Sequence, residues 1–249
     1  MTRRILITIE YDGGPFVGWQ RQDNGPSVQT AIEDAAKAFI HAPVAVVGAG
    51  RTDAGVHATG QAAHIDVPEK FTANRVMEAL NSHLSSVPIT IQGAAEVPSD
   101  FHARFTAIGR RYLYRILPRR QPPALDVGRV WHHKQKLNPE LMARAAKHLL
   151  GHHDFTSFRA SQCQAESPLR TLDRLDIETK GEEIHIHTGA RSFLHHQVRN
   201  ITGTLALVGT GKWHPDNMKT ALEAVDRSAA GPTAPAHGLY LVGVDYPAI

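Results

Sequence analysis

Apolar and polar residues alternate almost from the start of the chain. Ile5, Ile7 and Ile9 share one side of a period-two run, which predicts a strand broken by Tyr11-Asp12-Gly13-Gly14-Pro15. The period then changes. Val28, Ala31, Ile32, Ala35, Ala36 and Phe39 form the apolar stripe of a helix, with Ser27 as its N-cap after Pro26. Short strands are predicted around 44–47 and 61–67, flanking a glycine-rich connection. A second helix follows near 72–84, with Val76, Met77, Leu80 and Leu84 on one face, and a strand near 89–97 closes this half.

The second half repeats the order. A strand near 107–117 puts Tyr112, Tyr114 and Ile116 on one face, and a helix opens at Asn138-Pro139 and closes before Gly151. Strands near 172–179 and 183–188 are joined by Lys180-Gly181, a hairpin signal. A long helix over about 193–208, an extra helix near 215–225 and a strand near 239–246 finish the chain. Two β-α-β-β-α-β units in tandem predict an α+β fold: ferredoxin-like halves, 1–105 and 106–249, sharing a largely antiparallel sheet with an active-site cleft between them. No Pro/Ser-rich linker separates them near Phe105, so a common interface is expected.

Composition narrows the class. The 249 residues contain one cysteine, Cys163, so no internal disulfide can form, and its neighbours offer nothing to activate a thiolate. No apolar run approaches the roughly 20 residues of a membrane helix, and Met-Thr-Arg-Arg leads straight into Ile5 without a secretory pattern. A cytoplasmic protein with no membrane partner is expected. Formal charge is only +3, but Arg110, Arg111, Arg115, Arg119 and Arg120 crowd one stretch around Tyr112 and Tyr114. Arginine forks match phosphate and tyrosine stacks on bases, which suits nucleic acid; a solvated strand edge would read the same.

The segment richest in chemistry is Gly48-Ala49-Gly50-Arg51-Thr52-Asp53-Ala54-Gly55-Val56-His57, a loop between strands that can present a charged side chain to a ligand. An aspartic protease needs Asp followed by Thr or Ser and Gly, whereas here Thr52 precedes Asp53. An aspartyl-phosphate enzyme shows Asp-x-Asp, and position 55 is Gly.

Gly50 to His57 resembles the signature of the tRNA pseudouridine synthase A family, and the likeness runs along the chain. Tyr11-Asp12-Gly13, Gly18-Trp19-Gln20 and Thr30 resemble its N-terminal segment. Phe101-His102-Ala103-Arg104-Phe105 with Arg110-Arg111-Tyr112 resembles its central one. Phe193-Leu194-His195-His196-Gln197-Val198-Arg199-Asn200-Ile201 resembles its C-terminal helix motif, and Ala234-Pro235-Ala236-His237-Gly238-Leu239 its closing loop; Gln197 stands where Met is expected. The resemblance implies a pseudouridine synthase fold and a cofactor-free homodimer. Its implied reaction isomerises uridines 38 to 40 of the tRNA anticodon stem-loop. It makes Asp53 the catalytic residue, Tyr112 the aromatic of the site, and Arg199 the partner of the Asp. Arg51 would help hold the target base out of the helix. The residues expected to face substrate are Arg51, His57, Arg110, Arg111, Tyr112 and Leu239.

Those residue types suit the reaction. It breaks the N1–C1′ bond, turns uracil within the site and joins C5 to C1′, with no redox change and no added water. It needs a nucleophile or base at C1′ or C2′, a slot that retains uracil, and a flipped nucleotide, which costs a few kcal/mol. An ordinary aspartate is anionic at neutral pH, and a bidentate guanidinium favours that state. A tyrosine can stack on the pyrimidine and transfer or position a proton. Two other readings compete with it. A bare RNA-binding protein gains nothing by turning a carboxylate toward phosphates. A metal-dependent hydrolase would use the His pairs at 132–133, 152–153 and 195–196, but no zinc signature accompanies them and no metal ligand is expected.

Overall fold

The computed structural model describes residues 2–248. They group into two units, one running to Arg110 and resuming at Tyr240, the other spanning Arg111–Leu239.

In the first unit the alternating isoleucines form β1 (Thr2–Tyr11), with Ile5, Ile7 and Ile9 wholly buried. It lies antiparallel between β3 (His57–Pro68) and β4 (Ile89–Val97). Helices α1 (Val28–Ile40) and α2 (Ala73–His83) pack on each other. Each begins with a hydroxyl cap, Ser27 accepting from Thr30 N–H and Thr72 from Arg75 N–H. This is the ferredoxin-like arrangement that the hydrophobic pattern predicts.

One departure from a plain sheet positions the site. Strand β2 (Val46–Gly48) covers only the Ile65–Ala63 stretch of the β3 edge. The chain leaves that edge after Gly48 and re-enters the sheet at His57. The vacated end is taken by β10 (Leu239–Asp245), which runs parallel there, Tyr240 opposite His57 and Leu241 opposite Ala58. Residues 49–56 thus emerge where one strand hands the edge to another. The last strand, counted from sequence with the second half, groups from Tyr240 onward with the first unit.

The second unit orders its main strands as β5 (Gly109–Pro118), β9 (Glu183–Ala190), β8 (Leu169–Lys180) and β7 (Gly151–Asp154). A three-residue strand, β6 (Trp131–His133), adds in parallel to the end of β5. β6 and β7 are not legible in the sequence because each is too short to show an alternation. Helix α3 (Pro139–Ala146) starts at Asn138, whose side chain accepts from the Glu140 and Leu141 N–H groups. Helices α4 (Gln197–Gly209) and α5 (Asn217–Glu223) pack against it.

Helix α4 corrects the sequence reading at its start. Phe193 and Leu194 lengthen the apolar run, but His196 takes a left-handed φ of +61°, so the helix opens four residues later than the pattern suggests. His195 therefore precedes the helix and does not share a helical face with Arg199. Helix α5 is likewise shorter than predicted, closing before Val225 at φ +51°. The class is α+β with mostly antiparallel pairing, as expected. Among the described residues no helix is long and apolar enough to cross a membrane.

Candidate active site

Asp53 is half-buried in a loop whose backbone is held on several sides. The Thr52 hydroxyl hydrogen-bonds the Tyr11 hydroxyl at 2.8 Å in a buried contact, and Thr52 O accepts from Trp19 N–H at 3.0 Å. Asp53 itself bridges Gly18 in antiparallel fashion and its carbonyl accepts from Val56 N–H at 3.1 Å. Gly18 is required here: its φ is +120°, and a Cβ would lie 2.7 Å from Thr52 O. Farther back, Gln61 Nε2 donates to Gly50 O at 3.0 Å and Ala49 N–H to Ala62 O at 2.8 Å. These contacts fix the backbone at Asp53, and with it the direction in which its side chain leaves the loop.

The motif residues near the N-terminus thus act on the loop from a distance. Trp19 is buried against Tyr11, and its carbonyl accepts from Gln29 N–H at 2.9 Å. Gln29 Nε2 donates to Glu33 Oε1 and to Val46 O, both at 3.1 Å, while Glu33 Oε1 also accepts from Val46 N–H. Buried Glu33 is paired with Arg21. The strand that leads into the Asp loop is therefore tied to helix α1.

Arg51 is exposed at the loop's mouth. His57, expected to face substrate, is buried at its base: Nδ1 accepts from Gly13 N–H at 3.0 Å and the ring stacks on Tyr240 at 4.8 Å. Accepting at Nδ1 puts the proton of neutral His57 on Nε2. The Asp12 carboxylate lies 3.1 Å from the same Nδ1 and already accepts from Gly14 N–H. Arg110 is also buried. Its Nη2 donates to the carbonyls of Ala49 and Arg104 at 2.8 and 2.7 Å, and Nη1 to Ala107 O at 3.2 Å. These carbonyls make Arg110 a brace beneath the Asp loop, a role its sequence neighbours gave no sign of.

In the second unit, Arg111 is exposed and Tyr112 half-exposed on β5, the Tyr112 ring meeting Phe193 edge-on at 5.2 Å. Two residues along, wholly buried Tyr114 donates its hydroxyl to Pro235 O at 2.7 Å, and burial holds its pKa well above the usual phenol range. Arg199, on the first turns of α4, donates Nε to Ala234 O at 2.8 Å, and its own carbonyl accepts from Ala234 N–H. The 231–235 segment thus links the Tyr112 strand to the Arg199 helix. Asn200, wholly buried, fixes it further: its Oδ1 accepts from Thr233 Oγ1 at 2.6 Å and from Arg227 Nη2 at 3.2 Å, and its Nδ2 donates to Phe158 O at 2.8 Å. Leu239 is buried where β10 begins.

The basic stretch is not a uniform phosphate surface. Arg115 forms a fork with Glu183 at 2.7 and 2.9 Å and also reaches Asp126 at 3.2 Å. The Arg115 bonds hold the Glu183 carboxyl below its ordinary range. Arg119 pairs with Glu182 at 2.5 Å. The His pairs at 132–133 and 152–153 bond mainly to backbone carbonyls, His132 to Arg119 O, His133 to Gln135 O and His153 to Leu150 O, while His152 bonds the Thr171 hydroxyl.

The chain is similar to known proteins over most of its length. The sequence model of a family described as tRNA pseudouridine synthase matches residues 7–106 and 145–247. The chain is 57% identical over 245 residues to tRNA pseudouridine synthase A of Paramagnetospirillum magneticum, covering 98% of this chain and 96% of that one. It is 55% identical to the proteins of that name from Rhodospirillum rubrum and Sinorhizobium fredii, covering 98% of this chain and 88% and 99% of theirs.

Proposed function

Because this chain belongs to the tRNA pseudouridine synthase family, we propose that it isomerises uridine to pseudouridine at positions 38 to 40 of the tRNA anticodon stem-loop, with Asp53 as the nucleophile. As a member of that family it is an isomerase. The observation that carries the assignment to Asp53 is the immobilised loop. The Thr52 side chain, Thr52 O and Asp53 O are all engaged by neighbouring groups, so the carboxylate is aimed by the backbone rather than by its own rotamer alone.

Each step has a residue suited to it. The anionic carboxylate of Asp53 acts at the sugar while the N1–C1′ bond breaks. Uracil then turns so that C5 meets C1′, and the proton on C5 leaves as N1 gains one. Tyr112 supplies a ring for the pyrimidine and a hydroxyl for the proton. Arg199 supplies the fixed positive charge, which arginine retains at any working pH. Arg51, exposed two residues before Asp53, fills the space left when the target nucleotide leaves the stack. Assembly as a homodimer in the cytoplasm belongs to the same proposal.

The test is Asp53→Asn, nearly isosteric but without the charge. Tritium release from tRNA labelled at uridine C5 is expected to vanish while tRNA affinity stays close to that of the unaltered protein. Turnover by Asp53→Asn near the normal rate would remove Asp53 from the chemistry, and mapping of the pseudouridines formed would confirm or move the target positions.

A further inference from the structure

The first unit carries a second fixed loop, residues 101–107, whose tip the chemistry above does not use. Its backbone is held from several directions. Arg4 donates to Phe101 O at 2.7 Å, Ala103 N–H donates to His64 Nδ1 at 3.1 Å, and the Tyr246 hydroxyl donates to Ala103 O at 2.8 Å. Arg110 holds the carbonyls of Arg104 and Ala107. Arg104 and Phe105 nevertheless turn outward, and the Phe105 side of the loop stays in water at 71% exposure. The Arg104 guanidinium lies 5.5 Å from the ring centroid and the His102 ring lies beside it at 4.4 Å. His102 Nδ1 also accepts from the N–H groups of Arg104 and Phe105 at 3.2 and 3.3 Å.

A single apolar side chain on a surface needs no explanation. This one differs because the backbone beneath it is held by hydrogen bonds while the residue itself stays largely exposed. At that exposure the part of the ring not covered by His102 and Arg104 can meet a planar group, and the cation beside it selects for one that carries negative charge nearby. The position is also informative. One nitrogen of Arg110 reaches both Ala49 O and Arg104 O, so the two loops run side by side. Asp53 follows Ala49 by four residues, at most about 14 Å of chain.

We propose that Phe105 is a stacking platform for an unpaired base of the RNA substrate, a few nucleotides from the one that reacts, with Arg104 pairing to the adjoining phosphate. This rests on the RNA-modifying reading above. Every base offers a π-face, so such a platform holds the strand without reading sequence, and a guanidinium meets a phosphate as a fork. Because the loop is already rigid, little ordering cost accompanies the contact.

The experiment measures affinity and turnover separately, on full-length protein with an anticodon stem-loop RNA. Phe105→Ala is expected to weaken binding by roughly 5- to 100-fold and to raise KM more than it lowers kcat. Phe105→Trp is expected to restore both, and Arg104→Gln to reduce the salt dependence of binding by about one counterion. Unfolding temperatures of the variants report whether the loop itself survives. Unchanged affinity in Phe105→Ala would overturn the proposal. So would light scattering that shows this substitution splitting an oligomer while affinity for RNA holds, since the ring would then be a contact between copies. An unaltered protein that binds the stem-loop but makes no pseudouridine would defeat the reaction alone, and the Phe105→Ala affinity ratio would still decide the platform.

Discussion

Tyr112 offers two things to a pyrimidine, a ring and a hydroxyl, and one substitution separates them. If the ring alone matters, Tyr112→Phe keeps the edge contact with Phe193 and most of the binding energy, since stacking on an aromatic is worth roughly 1–3 kcal/mol without any hydroxyl. If the hydroxyl moves or positions a proton, turnover falls by roughly 10²–10⁴-fold. The second outcome is expected, because C5 must lose a proton and N1 must gain one. Single-turnover rates for Tyr112→Phe and Tyr112→Leu decide it: a near-normal Phe variant beside a crippled Leu variant would leave only stacking. At this scale the sequence singles out Asp53 as a candidate, since its glycines, its neighbours Arg51 and Thr52 and the ordered motifs around it all lie within reach of a linear reading. It could not show what Tyr11, Gly18 and Trp19 do. Their partners in the Asp loop are some thirty to forty residues away, and spacing along a chain does not report such contacts. Arg110 was misleading for the same reason: an arginine in a basic run looks like a surface charge until three carbonyls are found around it.

Elements were legible where a cap or a clean period marked them, as at Ser27, Thr72 and Asn138. They were less so where a tertiary contact sets the boundary. Helix α4 is the clearest case, its start fixed by the left-handed His196 and its flank by the 231–235 segment. Gly203 shows how close that segment comes: a Cβ there would stand 1.8 Å from Pro232 O. Helix propensity alone favours Gly203→Ala by about 1 kcal/mol, so the two effects have opposite signs. The clash is with backbone and cannot be relieved by turning a side chain. Gly203→Ala is therefore expected to lower the unfolding temperature and to reduce turnover as well, because the segment that must move also anchors Arg199 through Ala234. A stabilised protein would mean that helix propensity outweighs the contact. A destabilised one with full activity would mean that the anchor does not position Arg199.

For the whole molecule, the most direct handle is the pH at which it loses stability, and His64 sets an unusual term. It lies buried on β3, accepts from Ala103 N–H at Nδ1, and is pushed down to about 4 by burial first and by the charges of Arg4 and His102 after that. An unfolded histidine titrates near 6.5. Between those values the unfolded chain takes up a proton that the folded one declines, so stability falls as pH drops from 6.5 toward 4 and is fully present above 6.5. The carboxylates act elsewhere. Asp66, held below its ordinary value by the Arg4 hydrogen bonds, and Glu183, held down by Arg115, contribute above the ordinary carboxylate range and lose that contribution only below about pH 4. Urea unfolding at pH 7.5 and at pH 5 should therefore show a less stable protein at the lower value, with His64 accounting for at most about 2 kcal/mol over that interval. His64→Asn keeps an acceptor for Ala103 N–H and cannot titrate, so it should flatten the curve between 6.5 and 5 and leave the loss below 4 in place. An unchanged slope in that variant would remove His64 as the source of the acid loss. A flattened one would tie the acid sensitivity of the fold to the buried contact that holds the 101–107 loop.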